Sequence, residues 1–223
     1  MHLIIVGAGP VGNSLIALAQ NSGYDVVMIE GDEARATHCA DRYDARVLHM
    51  DIADDDVVQE SAMEQAKALI ATSTDDSTNL MAMFLGREHG VETLTSTVNH
   101  HAHKALFEKL GVHVLADPEI LVAQHLLDMT LLPRAADVTT LQDKEQIIEV
   151  TLDASSPLAG HTLGEVAESE LVPRGLFIVS VDREGEPTFP TASTEMKPGD
   201  NIIVFSRSTI RHEDLAVFTG GEA

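Results

Sequence analysis

The chain has little that would tie it to an oxidising compartment, a membrane or a nucleic acid. Its 223 residues include one cysteine, Cys39, so no internal disulfide can form and a reducing cytosol is the expected setting. No run approaches the roughly 18 consecutive apolar residues of a membrane-crossing helix. The first apolar run ends in a glycine turn and lacks the basic leader and small-residue cleavage site of a secretion signal. Basic residues are scarce, 14 against 36 acidic, for a formal net charge of −22. With no basic stripe to neutralise phosphates, nucleic acid is not an expected partner.

What is present is an ordinary globular composition, 44% hydrophobic, long enough for one large domain or two modest ones. The acids are spread along the chain, with small knots such as Asp54, Asp55 and Asp56. Such a surface suits a salt-rich cytoplasm, where salt screens the self-repulsion. A docking surface for a basic partner is the competing reading.

Two rhythms divide the chain. Through about residue 130, short β-rich runs alternate with helical stretches, the pattern of a parallel sheet covered on both faces. Strands are expected at 3–6, 26–29, 46–49, 68–71, 93–97 and 112–115, with helices such as 13–21 and 79–89 closed by Gly23 and Gly90. Six strands with five crossovers is the count of a complete Rossmann domain. A long helix is then expected to start with Asp117 as N-cap and Pro118 at its first position, and to run to Leu132 before Pro133. Ile120, Leu121, Val122, Leu126, Leu127, Met129, Leu131 and Leu132 surround most of it, more than the stripe of a one-sided surface helix. It is expected to pack on its own domain and against a second subunit.

Residues 134–146 read as a polar connection. Beyond it come a strand in "IIEVTL", a short helix in "TLGEVAES", a hairpin over "LFIVSVD-REGE-PTFPT", a turn in "KPGD", a strand in "NIIVFS" and a closing helix in "STIRHEDLAVF". The expected fold is α/β: a Rossmann-like doubly wound parallel sheet over residues 1–133, then a linker and a smaller α+β module over 134–223.

The opening stretch, "LIIVGAGPVGNSLIALAQ", places Gly7, Gly9 and Gly12 after a strand and at the head of a helix, the context that makes G-x-G-x-x-G a dinucleotide fingerprint. Gly7 allows the tight turn, Gly9 lets the backbone approach a pyrophosphate, and Gly12 lets the helix pack close to the strand. The helix N-terminus offers unpaired N–H groups to phosphates. Glu30 ends the second strand 18 positions after Gly12, where an acid accepts hydrogen bonds from a ribose and repels a 2′-phosphate. NAD(H) or an adenine nucleotide is therefore expected over NADP(H).

A dehydrogenase also needs a proton donor or acceptor and a substrate pocket. His100, His101 and His103 are the obvious candidates, but they read as a solvated helix start before they read as metal ligands, since no cysteine or carboxylate pattern completes a site. Cys39 beside His38 is a weak nucleophile candidate, and the second half supplies no catalytic set.

With both halves laid out, the chain resembles the RCK/KTN family, the TrkA-type cytosolic regulators of potassium transporters and channels. The resemblance rests on "IIVGAGPVG", the acid ending "VVMIE", "VLHMDIADDDVV", "ALIATSTDDSTNL", "TVNHHAHKALFEKLGV", "ADPE", "SSPLAGHTLGEV" and "TEMKPGDNIIVFS". It implies an N-terminal Rossmann domain, a TrkA-C domain and a nucleotide-binding set of Gly7, Ala8, Gly9, Pro10, Val11, Gly12, Glu30, Asp51, Ile52, Ala71, Thr72 and Ser73. It further implies a non-enzymatic regulator on the inner face of the membrane, with a potassium transporter or channel subunit and further copies of itself as partners. Bound nucleotide, NAD(H) first and ATP or ADP second, would be a signal. An NAD-dependent oxidoreductase, or a regulator of another cation transporter or antiporter, is the alternative. Three departures stand out: Pro10 and Thr97 replace common family arginines, and Glu30 replaces a commoner Asp. Asp76 and Asn79 match the family motif, although Asp76 alone would read as a helix cap.

Overall fold

In the computed structural model, which describes residues 1–141 and 144–220, the chain divides into two compact units, one ending at Ile120 and the other beginning at Leu121. Among the described residues no helix is long and apolar enough to cross a membrane.

The first unit alternates strand and helix: β1 (His2–Val6), α1 (Pro10–Asn21), β2 (Asp25–Glu30), α2 (Glu33–Arg42), β3 (Arg46–His49), α3 (Val57–Glu60), β4 (Ala68–Ala71), α4 (Asp76–Glu88), β5 (Thr93–Val98), α5 (Lys104–Lys109), β6 (His113–Ala116) and the start of α6 (Pro118–Leu131). The six strands form one sheet in the order β3-β2-β1-β4-β5-β6, parallel throughout. This is the doubly wound order, with its switch point between β1 and β4.

The central strands are apolar without interruption because both faces are covered. Ile4 and Val6 of β1 join Val27, Ile29, Leu69, Met83 and Phe107 on one face. Leu3 and Ile5 join Val26, Met28, Ile16 and Cys39 on the other. The period of two along each strand thus feeds two cores.

Two local expectations need correction here. Helix α4 begins at Asp76, three residues early, because Asp75 is its N-cap, accepting from the Ser77 and Thr78 N–H groups at 3.3 and 2.9 Å. Asp117 does not cap α6: its φ is +50°, outside the extended region an N-cap uses, and its carboxylate meets Nδ1 of His101 at 2.8 Å.

The rest of α6 also departs from expectation. Ile120, Leu121, Val122, Leu126, Leu127, Met129 and Leu131 are 50–64% exposed, and Asp128 is its one buried residue. That carboxylate accepts hydrogen bonds from Gln124 Nε2 at 2.8 Å and Thr140 Oγ1 at 3.2 Å. These seven side chains are left half or more exposed, whereas Leu132, the last of the eight expected on this helix, is buried in the core of the second unit.

The second unit contains β7 (Ala135–Thr140), β8 (Gln146–Thr151), α7 (Leu163–Glu168), β9 (Leu176–Arg183), β10 (Glu186–Thr188), β11 (Asn201–Ser206) and α8 (His212–Thr219). Its five strands form an antiparallel sheet in the order β10-β9-β11-β8-β7. Ile148, Val150, Ile202 and Val204 point to the face covered by Val166, Leu215 and Phe218. The alternation is that of a sheet with one covered face.

Strand β7 lies in the expected polar connection. Only Val138 of "AADVTT" is buried, as suits an edge strand, and its polar composition hides it from a pattern search. Residues 142 and 143 of that connection lie outside the described residues. In β9 the inward positions change from Leu176 and Ile178 to Val181, because the pairing with β11 shifts register between Ile203 and Val204. The β9–β10 turn places Glu184 and Gly185 at φ 59° and 84°, the two positive values of a tight hairpin.

One ion pair closes this unit. Asp200, 1% exposed, accepts from Arg183 Nε and Nη2 at 2.7 and 2.8 Å and from the Lys197 N–H at 2.8 Å. Burial pushes its carboxyl up, but the Arg183 guanidinium and the Lys197 N–H outweigh it and hold it below the ordinary value. A depressed carboxyl contributes stability that is complete above its unfolded value of about 3.9 and fades as pH falls through the folded one. Asp200→Asn should therefore cost about 1–3 kcal/mol at neutral pH, and the gap from the unaltered chain should shrink below about pH 4. Urea unfolding at several pH values measures this, and a gap that grows on acidification would refute it.

Candidate functional site

A cleft of about 700 Å³ opens at the C-terminal ends of the parallel strands, by the switch point, where open α/β sheets place their ligands. Its floor is the glycine loop. Gly7 has φ +100°, a value that side chains resist, and its N–H donates to the Ile29 carbonyl at 2.9 Å. A Cβ on Gly12 would stand 1.9 Å from the Gly7 carbonyl oxygen, so α1 packs against the loop as closely as a residue without a side chain permits. A Cβ on Gly9 would meet nothing within 4 Å. Gly9 is the N-cap of α1 and, having no side chain, leaves the first turn's amides uncovered.

Glu30 stands at one wall. It is 5% exposed, and its Oε2 accepts the Ala8 N–H at 2.6 Å. Oε1 accepts the Asp32 N–H and Arg35 Nη2, both at 2.8 Å. Asp32 caps α2 by accepting the Arg35 N–H at 2.9 Å, which puts Arg35 on the first turn with its guanidinium turned back to Glu30. Burial pushes the Glu30 carboxyl up, but the hydrogen bonds from Arg35, Asp32 and Ala8 outweigh it, and it is held below the ordinary glutamate value. Asp51 and Ile52 follow β3 on the same side, and an Asp51 oxygen accepts the Ala53 N–H at 2.9 Å.

The opposite wall comes from the loop after β4. Thr72 donates through Oγ1 to the Gly7 carbonyl at 3.2 Å. Ser73 is held by fully buried Asn79, which accepts the Ser73 N–H at 2.9 Å and donates to the Ser73 and Thr97 carbonyls at 2.8 and 3.2 Å. Asp76 is not the cap that its sequence position suggested. It accepts from the Asn99 and His100 N–H groups at 2.8 and 3.0 Å and meets His103 Nδ1 at 2.8 Å, tying α4 to the end of β5.

Nine of the twelve sequence-derived residues line the cleft: Gly7, Gly9, Pro10, Val11, Glu30, Asp51, Ile52, Thr72 and Ser73. Ala8, Gly12 and Ala71 do not, lying buried behind it. The sequence reading missed Arg35, Asp32, Met50, Thr78, Asn99 and Glu119, which also line it. "GDEAR" carried a signal for Arg35 in its capping aspartate three residues upstream. The histidines do not converge: His101 and His103 turn to different carboxylates, and His100 stacks edge-on to His103 at 5.4 Å. Cys39 is fully buried in the α1/α2 core, where burial first and then the Glu30 charge push its thiol up.

A doubly wound sheet with a glycine-loop cleft, joined to a small antiparallel module, defines a Rossmann-type binding protein with an appended domain. The TrkA-N domain model matches residues 3–118 and the TrkA-C domain model residues 147–211; the chain belongs to the TrkA family. It is 26% identical over 221 residues to the Trk system potassium uptake protein TrkA homolog of Methanothermobacter thermautotrophicus, covering 99% of this chain and all of that one. It is likewise 26% identical to TrkA of Streptomyces coelicolor, over 99% of this chain and 97% of the relative. Among solved structures, the GsuK channel bound to NAD aligns with all of this chain at TM-score 0.62 and 21% identity, and the chain spans 40% of that one. The TrkA-N domain of the Escherichia coli inner membrane protein ybaL aligns with 57% of this chain at TM-score 0.51 and 22% identity.

The glycines make separable predictions. Gly12→Ala should destabilise the first unit by roughly 1–3 kcal/mol, since a backbone carbonyl must move to admit the methyl group. Gly9→Val should cost no more than about 1 kcal/mol, the penalty of a poorer cap. Denaturant melts of the two variants compare them, and equal stability would refute the close-packing role of Gly12.

Proposed function

We propose that this protein is a cytosolic, nucleotide-sensing regulatory subunit that gates a membrane potassium transporter or channel of the Trk type, and that it does so without catalysis. The observation that carries the reading is the open cradle over Gly9, with uncovered helix amides on its floor and Glu30 on its rim. Residues 1–133 would be the nucleotide domain, and residues 134–223 the linker and TrkA-C-like regulatory domain.

The donor set fits a nucleotide. The loop from Gly7 to Gly12 would hold the phosphates, Glu30 a ribose, and Asp51, Ile52, Thr72 and Ser73 the flanking parts, with Ala8 and Ala71 supporting from behind. The GsuK neighbour solved with NAD supports NAD(H) as the first ligand; ATP or ADP would come second. The bound nucleotide acts as a signal: it shifts a conformational equilibrium only by its differential affinity for two states, typically 1–3 kcal/mol.

Calorimetry of the full chain in molar KCl tests the cleft. NAD⁺ should bind, Gly9→Val should weaken it at least about tenfold, and Glu30→Ala should weaken it by roughly 1–3 kcal/mol. NADP⁺ should bind more weakly than NAD⁺. If no nucleotide binds, the sensing role fails. Gating is tested in vesicles holding a Trk-type potassium transporter: added protein should change potassium flux in a nucleotide-dependent way, and unchanged flux would refute it.

The exposed α6 supports a homo-oligomer, since seven apolar side chains in one helix exceed the usual patch of a soluble monomer. A twofold partner presenting the same helix is the simplest closed arrangement. Light scattering in molar salt should give a dimer or larger, and Leu127→Glu should dissociate or unfold it. A stable 24.0 kDa species would refute the assembly.

A further inference from the structure

The lining of the nucleotide cleft carries charge of mostly one sign. Glu30, Asp32, Asp51 and Glu119 contribute carboxylates, and among the described residues the one cation facing them is Arg35. That guanidinium is already paired with Glu30 at 2.8 Å, so the carboxylates of Asp32, Asp51 and Glu119 have no compensating cation in the lining.

The contrast is sharpest beside the glycine loop. Its side chains toward the cleft are Pro10 and Val11, and the facing wall offers Ser73, Thr74 and Thr78. None carries charge. Attraction for an anion there comes from backbone alone: the uncovered amides at the head of α1, equivalent to about half a positive charge. A pyrophosphate bridge whose charge is partly cancelled elsewhere in the ligand suits that supply. A terminal di- or triphosphate tail does not, because each further phosphate charge is repelled by the same carboxylates without a side-chain cation to offset it.

We propose that this balance makes the cleft sort nucleotides by net charge, admitting NAD⁺, whose nicotinium ring cancels part of the pyrophosphate charge, and discriminating against ADP and most strongly against ATP. Salt sets the stringency. At about 0.1 M the carboxylates act across roughly 10 Å, whereas above 1 M their reach falls to about 3 Å. Added salt therefore strengthens the binding of the more anionic ligands, the reverse of the weakening seen where lysines and arginines grip phosphates.

The inference rests on the cleft being the nucleotide site, and the test separates the two. Calorimetry with NAD⁺, ADP and magnesium-free ATP is run on the full chain in about 0.3 M and about 2 M KCl, with circular dichroism confirming the fold in each. NAD⁺ should bind about tenfold or more tighter than ATP at the lower salt, with the gap narrowing at the higher. Two variants at one fixed salt decide the matter even if low salt unfolds the chain. Pro10→Arg adds a cation at an exposed position on the first turn of α1, and Glu119→Gln removes a carboxylate without touching the loop. Each should raise ATP affinity several-fold relative to NAD⁺. ATP binding as tight as NAD⁺ in the unaltered chain, or a preference indifferent to salt and to both variants, overturns the charge sorting and leaves the nucleotide site standing. Binding of no nucleotide at all overturns both.

Discussion

The geometry of the cleft depends on one carboxylate. Glu30 ends β2, and its two oxygens gather the Ala8 N–H of the glycine loop, the Asp32 N–H at the head of α2, and the Arg35 guanidinium. The glycine loop and the head of α2 are thereby held to the end of β2 at one point. Charge-assisted bonds in a buried setting are the strong ones, and their donors would be left unsatisfied without the acid. The influence extends beneath the surface, since the same charge helps to raise the Cys39 thiol in the adjoining core. An acid at this place is thus a structural clasp.

Across the cleft a second polar network has the matching task. Asn79 lies fully buried and satisfies both the donor and the acceptor of Ser73, while Asp76 gathers two amides and a histidine ring from the end of β5. A buried polar network of this kind is stabilising only when its members are paired. Its effect is to hold the Ser73 loop in one position, while Thr72 ties the same loop to Gly7.

Much of this was legible in the sequence. Apolar runs such as "LIIV" and "VVMI" announce strands buried on both faces, and glycine spacing with Glu30 announces the loop and its rim. What escaped was whatever depends on partners distant in sequence. Strand β7 is polar because an edge needs few inward residues, and Val138 alone carries too little pattern. Asp76 was misread as a cap because Asp75 beside it has the same chemistry, and only the fold shows which one faces β5. Asp117 followed the N-cap rule by residue type, but its left-handed backbone and its attachment to His101 set it aside. Arg35 and Glu119 reach the cleft through helix starts whose direction no local pattern reveals.

The strand order carries a consequence for biogenesis. β1 lies between β2, its neighbour in sequence, and β4, whose Ala68 pairs with Leu3 across some sixty residues of intervening chain. Non-local parallel pairing of this sort forms late, after the entropy of closing a long loop has been met. The glycine loop and Glu30 belong to β1 and β2, yet Thr72 and Ser73, which complete the cleft, cannot take their places until β4 has docked. A nascent chain therefore carries the recognisable fingerprint long before it carries a pocket. The pocket is complete only when the sheet has closed around its central strand.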